Sequence, residues 1–295
     1  WGLVVPMPTF CACAGATALP VLLFFPKLHS GLFAGVAQVG TKLHSSAREI
    51  PLLFRGEFMP AGEAPGHYAH WMLLVTTPLP VLLLMGMGLV WLAGVRKGGT
   101  PAVDRRETGL RVLFIGLALF PWAYVLVTAP ALHNGLRHML WGVPPLMVLA
   151  AWGARQLGAR LEAKYPRSRT GVRLALVLLA GHLAWQNARL HPYAYVFHNA
   201  LAGNRATVVD RYEGEYWFTS TRHLLEQLPQ LFPDAQPGRP VRVRVAGPYN
   251  SAYRFVPGGF ILVDDFSQAD LFVSNTTFRT DLLIEGPVLY ELHKG

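Results

Sequence analysis

The chain has 295 residues, of which 52% are apolar and only 15% charged, and its mean hydropathy is +0.30. Soluble domains carry about 25% charged residues, so this composition excludes a disordered or fibrous protein and argues against an ordinary soluble enzyme. The formal charge of +9 divides at about residue 189: residues 1–189 hold 17 Lys and Arg against 6 Asp and Glu, and residues 190–295 hold 9 against 11. Such a basic surplus, confined to the apolar part, suits the flanks of membrane spans better than a phosphate-tracking surface, and no nucleic acid partner is expected.

The first residue is Trp1, with no basic stretch before the apolar run, which does not read as a signal peptide. The expectation is a fragment lacking its N-terminal part. Cys11 and Cys13 both lie inside an apolar run and are read as small packing residues, too few for a disulfide framework and unsuited to a zinc site.

A span needs about 20 apolar residues to cross about 30 Å of hydrocarbon. Five uncharged stretches are candidates: 2–25, 71–95, 112–132, 139–154 and 174–188. The first contains Pro6, Pro8 and Pro20, the fourth is short and contains Pro144 and Pro145, and the fifth contains His182, Gln186 and Asn187. The fold class expected is a mainly α-helical polytopic membrane bundle of about five spans in 1–189, followed by a small extracytoplasmic α/β domain in 190–295.

Basic residues of the connecting segments orient this bundle. Arg96, Lys97, Arg105, Arg106 and Arg111 follow the second span, and Arg155, Arg160, Lys164, Arg167, Arg169 and Arg173 follow the fourth, whereas the turn between the third and fourth holds only Arg137. The basic segments are therefore expected to be cytoplasmic, with 26–70, 133–138 and the C-terminal domain outside. An amphipathic helix lying on the membrane is the alternative for 174–188, and it would place the C-terminal domain inside. Residues 30–47 space Leu32, Phe33, Val36, Val39 and Leu43 as one helix face, predicting an interfacial helix.

Beyond His191 the pattern predicts a helix over 220–232 and strands over 241–246, 260–263, 271–274 and 288–292, separated by Gly and Pro. No glycine-rich nucleotide fingerprint, phosphate-binding loop or His-Glu-x-x-His is present. Polar residues gather instead on the outer face. Arg55 and Glu57 precede His67, Tyr68 and His70, and His133, Asn134, Arg137 and His138 occupy the other outer loop, so that a basic, aromatic-rimmed cleft at headgroup depth is expected.

Each residue also has a plainer reading. His67 and His70 would be interfacial hydrogen-bonding groups and not metal ligands, Arg137 a helix-end anchor, Glu57 a surface carboxylate, and Asp264 and Asp265 turn residues. Asn275-Thr276-Thr277 satisfies a glycosylation sequon.

Four segments occur in order: Leu53-Phe-Arg-Gly-Glu57; His67-Tyr-Ala-His-Trp71 leading to Thr77-Pro-Leu-Pro80; Gly135-Leu-Arg-His138 with Pro144-Pro145; and His191-Pro-Tyr-Ala-Tyr-Val-Phe-His-Asn199 with Leu201-Ala-Gly203. With Glu215-Tyr-Trp217 and Val288-Leu-Tyr-Glu-Leu292, the set resembles the later half of bacterial polytopic GT-C superfamily glycosyltransferases, relatives of protein mannosyltransferases and of the aminoarabinose transferase. The resemblance implies transfer of a sugar from a polyprenyl-phosphate carrier to an acceptor on the outer face of the bacterial inner membrane. It makes Arg137 and His138 candidates for the lipid phosphate, and Arg55, Glu57, His67 and Tyr68 candidates for the donor or acceptor wall. The superfamily's catalytic acid lies in a first outer loop with no counterpart here, so no catalytic residue is assigned and any divalent metal would belong to the preceding part. The turn reads His133-Asn-Gly where the resemblance leads one to expect Tyr-Asp-Gly. The alternative function is a non-catalytic, membrane-anchored binding or assembly subunit; a transporter would need more intramembrane ionisable residues than His182.

Overall fold

The computed structural model describes residues 48–94, 105–247 and 252–292. Among these residues the chain is mainly helical, with seven α-helices, a two-stranded hairpin and a three-stranded sheet. The described residues pack as two units: one draws on 48–51, 59–73 and 79–166, and the other on 52–58, 74–78 and 167–292. The expected first span, 2–25, and the interfacial helix over 30–47 lie outside the described residues.

In the first unit, α1 (Tyr68–Thr76) and α2 (Leu79–Ala93) meet at a 118° bend. The uninterrupted span expected over 71–95 is therefore broken. A proline disfavours helical geometry in the residue before it and offers no N–H, so Thr77-Pro78 ends α1 and Leu79-Pro80 opens α2. The third helix, α3 (Arg105–Thr128), contains the stretch Gly109–Thr128, which is long and apolar enough to cross a membrane. It covers the expected 112–132 as far as Thr128.

The fourth helix, α4 (Val143–Lys164), starts with Pro144 and Pro145 in its first turn, where a missing N–H costs nothing. It follows a 3-10 segment, Arg137–Gly142. α2 and α4 cross with their backbones in contact. A Cβ at Gly88 would lie 1.9 Å from the Leu149 carbonyl oxygen, and one at Gly153 would lie 2.0 Å from that of Leu84. Only glycine permits this approach, because any Cβ would overlap the opposing carbonyl oxygen.

The expectation of about five spans is met only in its coarser part, a helical chain with a small α/β region. Among the described residues one helix passes for a span by itself, and the bent pair of α1 and α2 passes when its halves are taken together. The stretch expected at 139–154 falls on the 3-10 segment and α4, and that at 174–188 on α5 (Arg169–Leu190); the charged and polar residues of both helices dilute their apolar runs.

In the second unit, the hairpin of β1 (Pro51–Phe54) and β2 (Glu57–Pro60) turns at Arg55 and Gly56, both with positive φ. A short helical turn, α6 (Arg205–Val208), is capped by the Asn204 side chain, which accepts from the Thr207 N–H at 2.9 Å. The sheet is parallel, in the order β4-β3-β5, from β3 (Val241–Val245), β4 (Phe260–Leu262) and β5 (Leu271–Val273). Val243 pairs with Leu262 on one side and with Leu271 on the other. Leu225 and Leu228 of α7 (Thr219–Leu231) pack on Val243, Val245, Phe260 and Val273 to form the core. The three strands and the helix expected from periodicity are present to within a residue or two. The strand expected over 288–292 is not: Val288 is 77% exposed, and the segment joins no sheet among the described residues, so its extended backbone has no ladder to complete.

Candidate functional site

The turn between α3 and the 3-10 segment is built on Asn134 and Gly135, both in the left-handed region at φ 57° and 64°. Two successive residues of this kind reverse the chain and aim the Gly135 N–H at the buried phenol of Tyr68, which accepts it at 3.0 Å. The reversal also sets His133, Arg137 and His138 side by side. Arg137 Nη2 lies 3.0 Å from His133 Nε2, and Arg137 Nε donates to His138 Nε2 at 3.3 Å. The two imidazoles meet edge to face with centroids 4.6 Å apart.

A guanidinium can only donate, so both Nε2 atoms act as acceptors and both rings are neutral with the proton on Nδ1. The electrostatics agree. Burial, reinforced by His138 and Arg137, pushes His133 down to about 4, and burial and Arg137 push His138 down in the same direction. His133 is only 3% exposed, and its Nδ1 has no hydrogen-bond partner among the described residues. Trp141 donates to the His138 carbonyl at 3.1 Å and is itself exposed. The result is one fixed cation held between two neutral imidazoles, and a guanidinium so placed suits an oxyanion such as a phosphate ester.

Of the residues expected at the site, Arg137, His138 and Tyr68 come together in the first unit, and His67 is exposed one residue before Tyr68. Arg55 and Glu57 belong to the second unit, exposed at the hairpin turn, where the Gly56 N–H donates to the Arg211 carbonyl at 3.1 Å. His133 was legible as a member of the outer loop, but its bond to Arg137 follows from the turn geometry.

The second unit holds a buried polar cluster that the pattern did not reveal. The Glu215 carboxylate accepts from Tyr195, from the Thr219 N–H at 2.8 Å, from Ser220 and from Asn275 Nδ2 at 3.1 Å. Its backbone carbonyl accepts from the Thr277 hydroxyl at 2.5 Å. Burial, then the neighbouring carboxylate, pushes the Tyr195 phenol upward, which keeps it a donor. Its signal in the sequence was a lone Glu four residues before a helix. Asn275 of the sequon is thereby turned toward Glu215. Asp265 accepts from the Ser267 N–H at 2.9 Å and is a turn residue, as expected.

Among the described residues no group of three or more His, Cys, Asp or Glu is arranged to hold a metal ion. No protein-family profile, curated protein or solved structure matches the chain.

Proposed function

We propose that the chain belongs to a membrane glycosyltransferase that moves a sugar from a polyprenyl-phosphate carrier to an acceptor on the outer face of a bacterial inner membrane, its helices forming a polytopic bundle of about five spans. The observation that carries this reading is the Arg137 guanidinium set between the His133 and His138 imidazoles beside Tyr68. In group transfer from such a carrier, an acceptor nucleophile attacks the anomeric carbon and gives its proton to a carboxylate base, while the lipid phosphate leaves with the electrons of the broken glycosidic bond. Arg137 would take the phosphate oxygens, held in place by the two neutral imidazoles that accept from it. Tyr68 supports the turn that carries them, and His67, one residue before it, stands as a donor or acceptor contact. The ordered sequence segments support the same assignment.

The test is binding. The full chain, reconstituted in lipid vesicles, should retain a polyprenyl monophosphate probe, and Arg137→Gln should weaken retention about tenfold or more, the worth of a charge-assisted contact. Equal retention by the variant would overturn the assignment. The self-contained core of Leu225, Val243 and Phe260 favours a second reading, a non-catalytic anchored subunit. Carrier retention unaffected by Arg137, with no sugar transfer by the membrane-embedded chain, would favour it.

A further inference from the structure

α4 changes character along its length. It carries no charged residue from Val143 to Ala154, and then presents Arg155, Arg160 and Lys164 against Glu162 alone. The three cations are exposed, and none has an ion-pair partner among the described residues. Each lies instead against an aromatic ring. Arg155 Cζ is 5.4 Å from the Trp152 centroid, Arg160 Cζ is 4.2 Å from that of Trp91 at the end of α2, and Lys164 Nζ is 5.3 Å from that of Tyr165.

A ring engages the flat face of a guanidinium and leaves its in-plane N–H groups directed outward. Arg160 on Trp91 is therefore a held cation with donors still available to an oxyanion. The first half of the helix and the 3-10 segment before it show what lies alongside: Leu140, Trp141 and Val148 are apolar and exposed, as are Leu83 and Val90 of the packed partner α2. At ~1.5 Å per residue, Arg160 lies about 25 Å along the axis from Val143, close to the ~30 Å thickness of a bilayer's hydrocarbon. A helix that holds the Arg137 and Trp141 end at one headgroup layer thus delivers Arg160 and Trp91 to the other. Tryptophan and basic side chains are the residues that settle at that depth.

We propose that Trp91, Arg155, Arg160, Lys164 and Tyr165 form a binding surface for the headgroups of anionic phospholipids, on the leaflet opposite Arg137. The proposal rests on the membrane part of the preceding reading and is independent of sugar transfer. Charge complementarity selects the occupant: the surface is cationic, its neighbouring belt is apolar, and an anionic phospholipid satisfies both.

The experiment reconstitutes the full chain in bilayers of phosphatidylcholine mixed with phosphatidylglycerol, one of the two brominated on its acyl chains, and reads tryptophan quenching as a relative binding constant. The expected result is a severalfold preference for phosphatidylglycerol that collapses in 0.5 M salt (about 0.5 M suffices to shorten screening to a few ångström). Arg160→Gln should lower the preference by about half and the triple variant R155Q/R160Q/K164Q should abolish it, whereas R155K/R160K, which keeps the charge, should retain most of it. Equal quenching by the two lipids in the parent chain, or an undiminished preference in the triple variant, overturns the proposal and leaves the glycosyltransferase reading standing. If the triple variant does not reconstitute, a preference in the parent chain that salt does not reduce overturns it equally. Tight binding of a short RNA that depends on the same three residues, without lipid preference, also overturns it. A chain that inserts into neither bilayer overturns the membrane reading and this proposal together.

Discussion

Glu215 and Ser220 are joined twice: the Ser220 N–H donates to Glu215 Oε2 at 3.2 Å and its hydroxyl donates to the same oxygen at 2.5 Å. The N-cap position of α7 is Phe218, with φ 55° and no side-chain oxygen to offer the first turn. Glu215 does that work from three residues further back, and its charge sits at the positive end of the helix. Helix N-termini beside parallel strands are common anion sites. Here the chain's own carboxylate occupies the position.

Replacing Glu215 with Ala should therefore cost the second unit about 3 kcal/mol, because several donors lose a charged acceptor in a buried setting. Tyr195→Phe, which removes one donor, should cost about 1 kcal/mol. Denaturant unfolding of the detergent-solubilised chain, followed by fluorescence, measures both. A loss below about 0.5 kcal/mol for Glu215→Ala would mean that water replaces the carboxylate without penalty.

The α2 and α4 crossing should be equally intolerant. Gly88→Leu or Gly153→Leu forces side-chain atoms into the opposing backbone and should cost at least about 3 kcal/mol, the upper end for overpacking. Gly181 of α5 has open space around its Cβ position. Gly181→Ala should be neutral or stabilise by up to about 1 kcal/mol through helix propensity. Thermal denaturation monitored by circular dichroism separates the two classes.

Acid should weaken the first unit through His133. Its folded-state value of about 4 lies below the unfolded 6.5, so between those pH values the unfolded chain binds more protons. Stability is thus complete above about pH 6.5 and falls as pH drops toward 4. His138, shifted the same way, adds to the slope. His133→Asn should flatten the stability profile over this window, and bound phosphate ester should flatten it as well by stabilising the imidazolium. An unchanged slope in the variant would show that other groups cause the acid sensitivity.

The proposed orientation predicts two labelling outcomes in a background with Cys11 and Cys13 replaced by Ser. Ser267→Cys should react with an impermeant thiol reagent from the outer side, and Ala163→Cys only after permeabilisation. Both positions are exposed. The reverse pattern would invert the topology and remove the support for transfer on the outer face.

By itself, the amino-acid order determined what depends on near neighbours. Alternation in Val-Arg-Val-Arg-Val marked β3, apolar residues on one face marked α7, and the charge balance separated the apolar part from the rest. These are repeats of two and of about 3.6 residues, readable without knowing what they pack against. Only the tertiary structure decided the rest. A count of apolar residues has no direction, so the stretch 71–95 read as one straight span although Thr77-Pro78 bends it by 118°. The segment 288–292 has a strand's composition, yet a strand exists only where a neighbour accepts its hydrogen bonds. Glu215 meets Asn275, Gly88 meets Gly153, and Tyr68 meets Gly135 across long separations in the chain. Such partners are selected by packing density and by the cost of leaving a buried polar group unpaired, and both depend on where the whole chain folds back on itself.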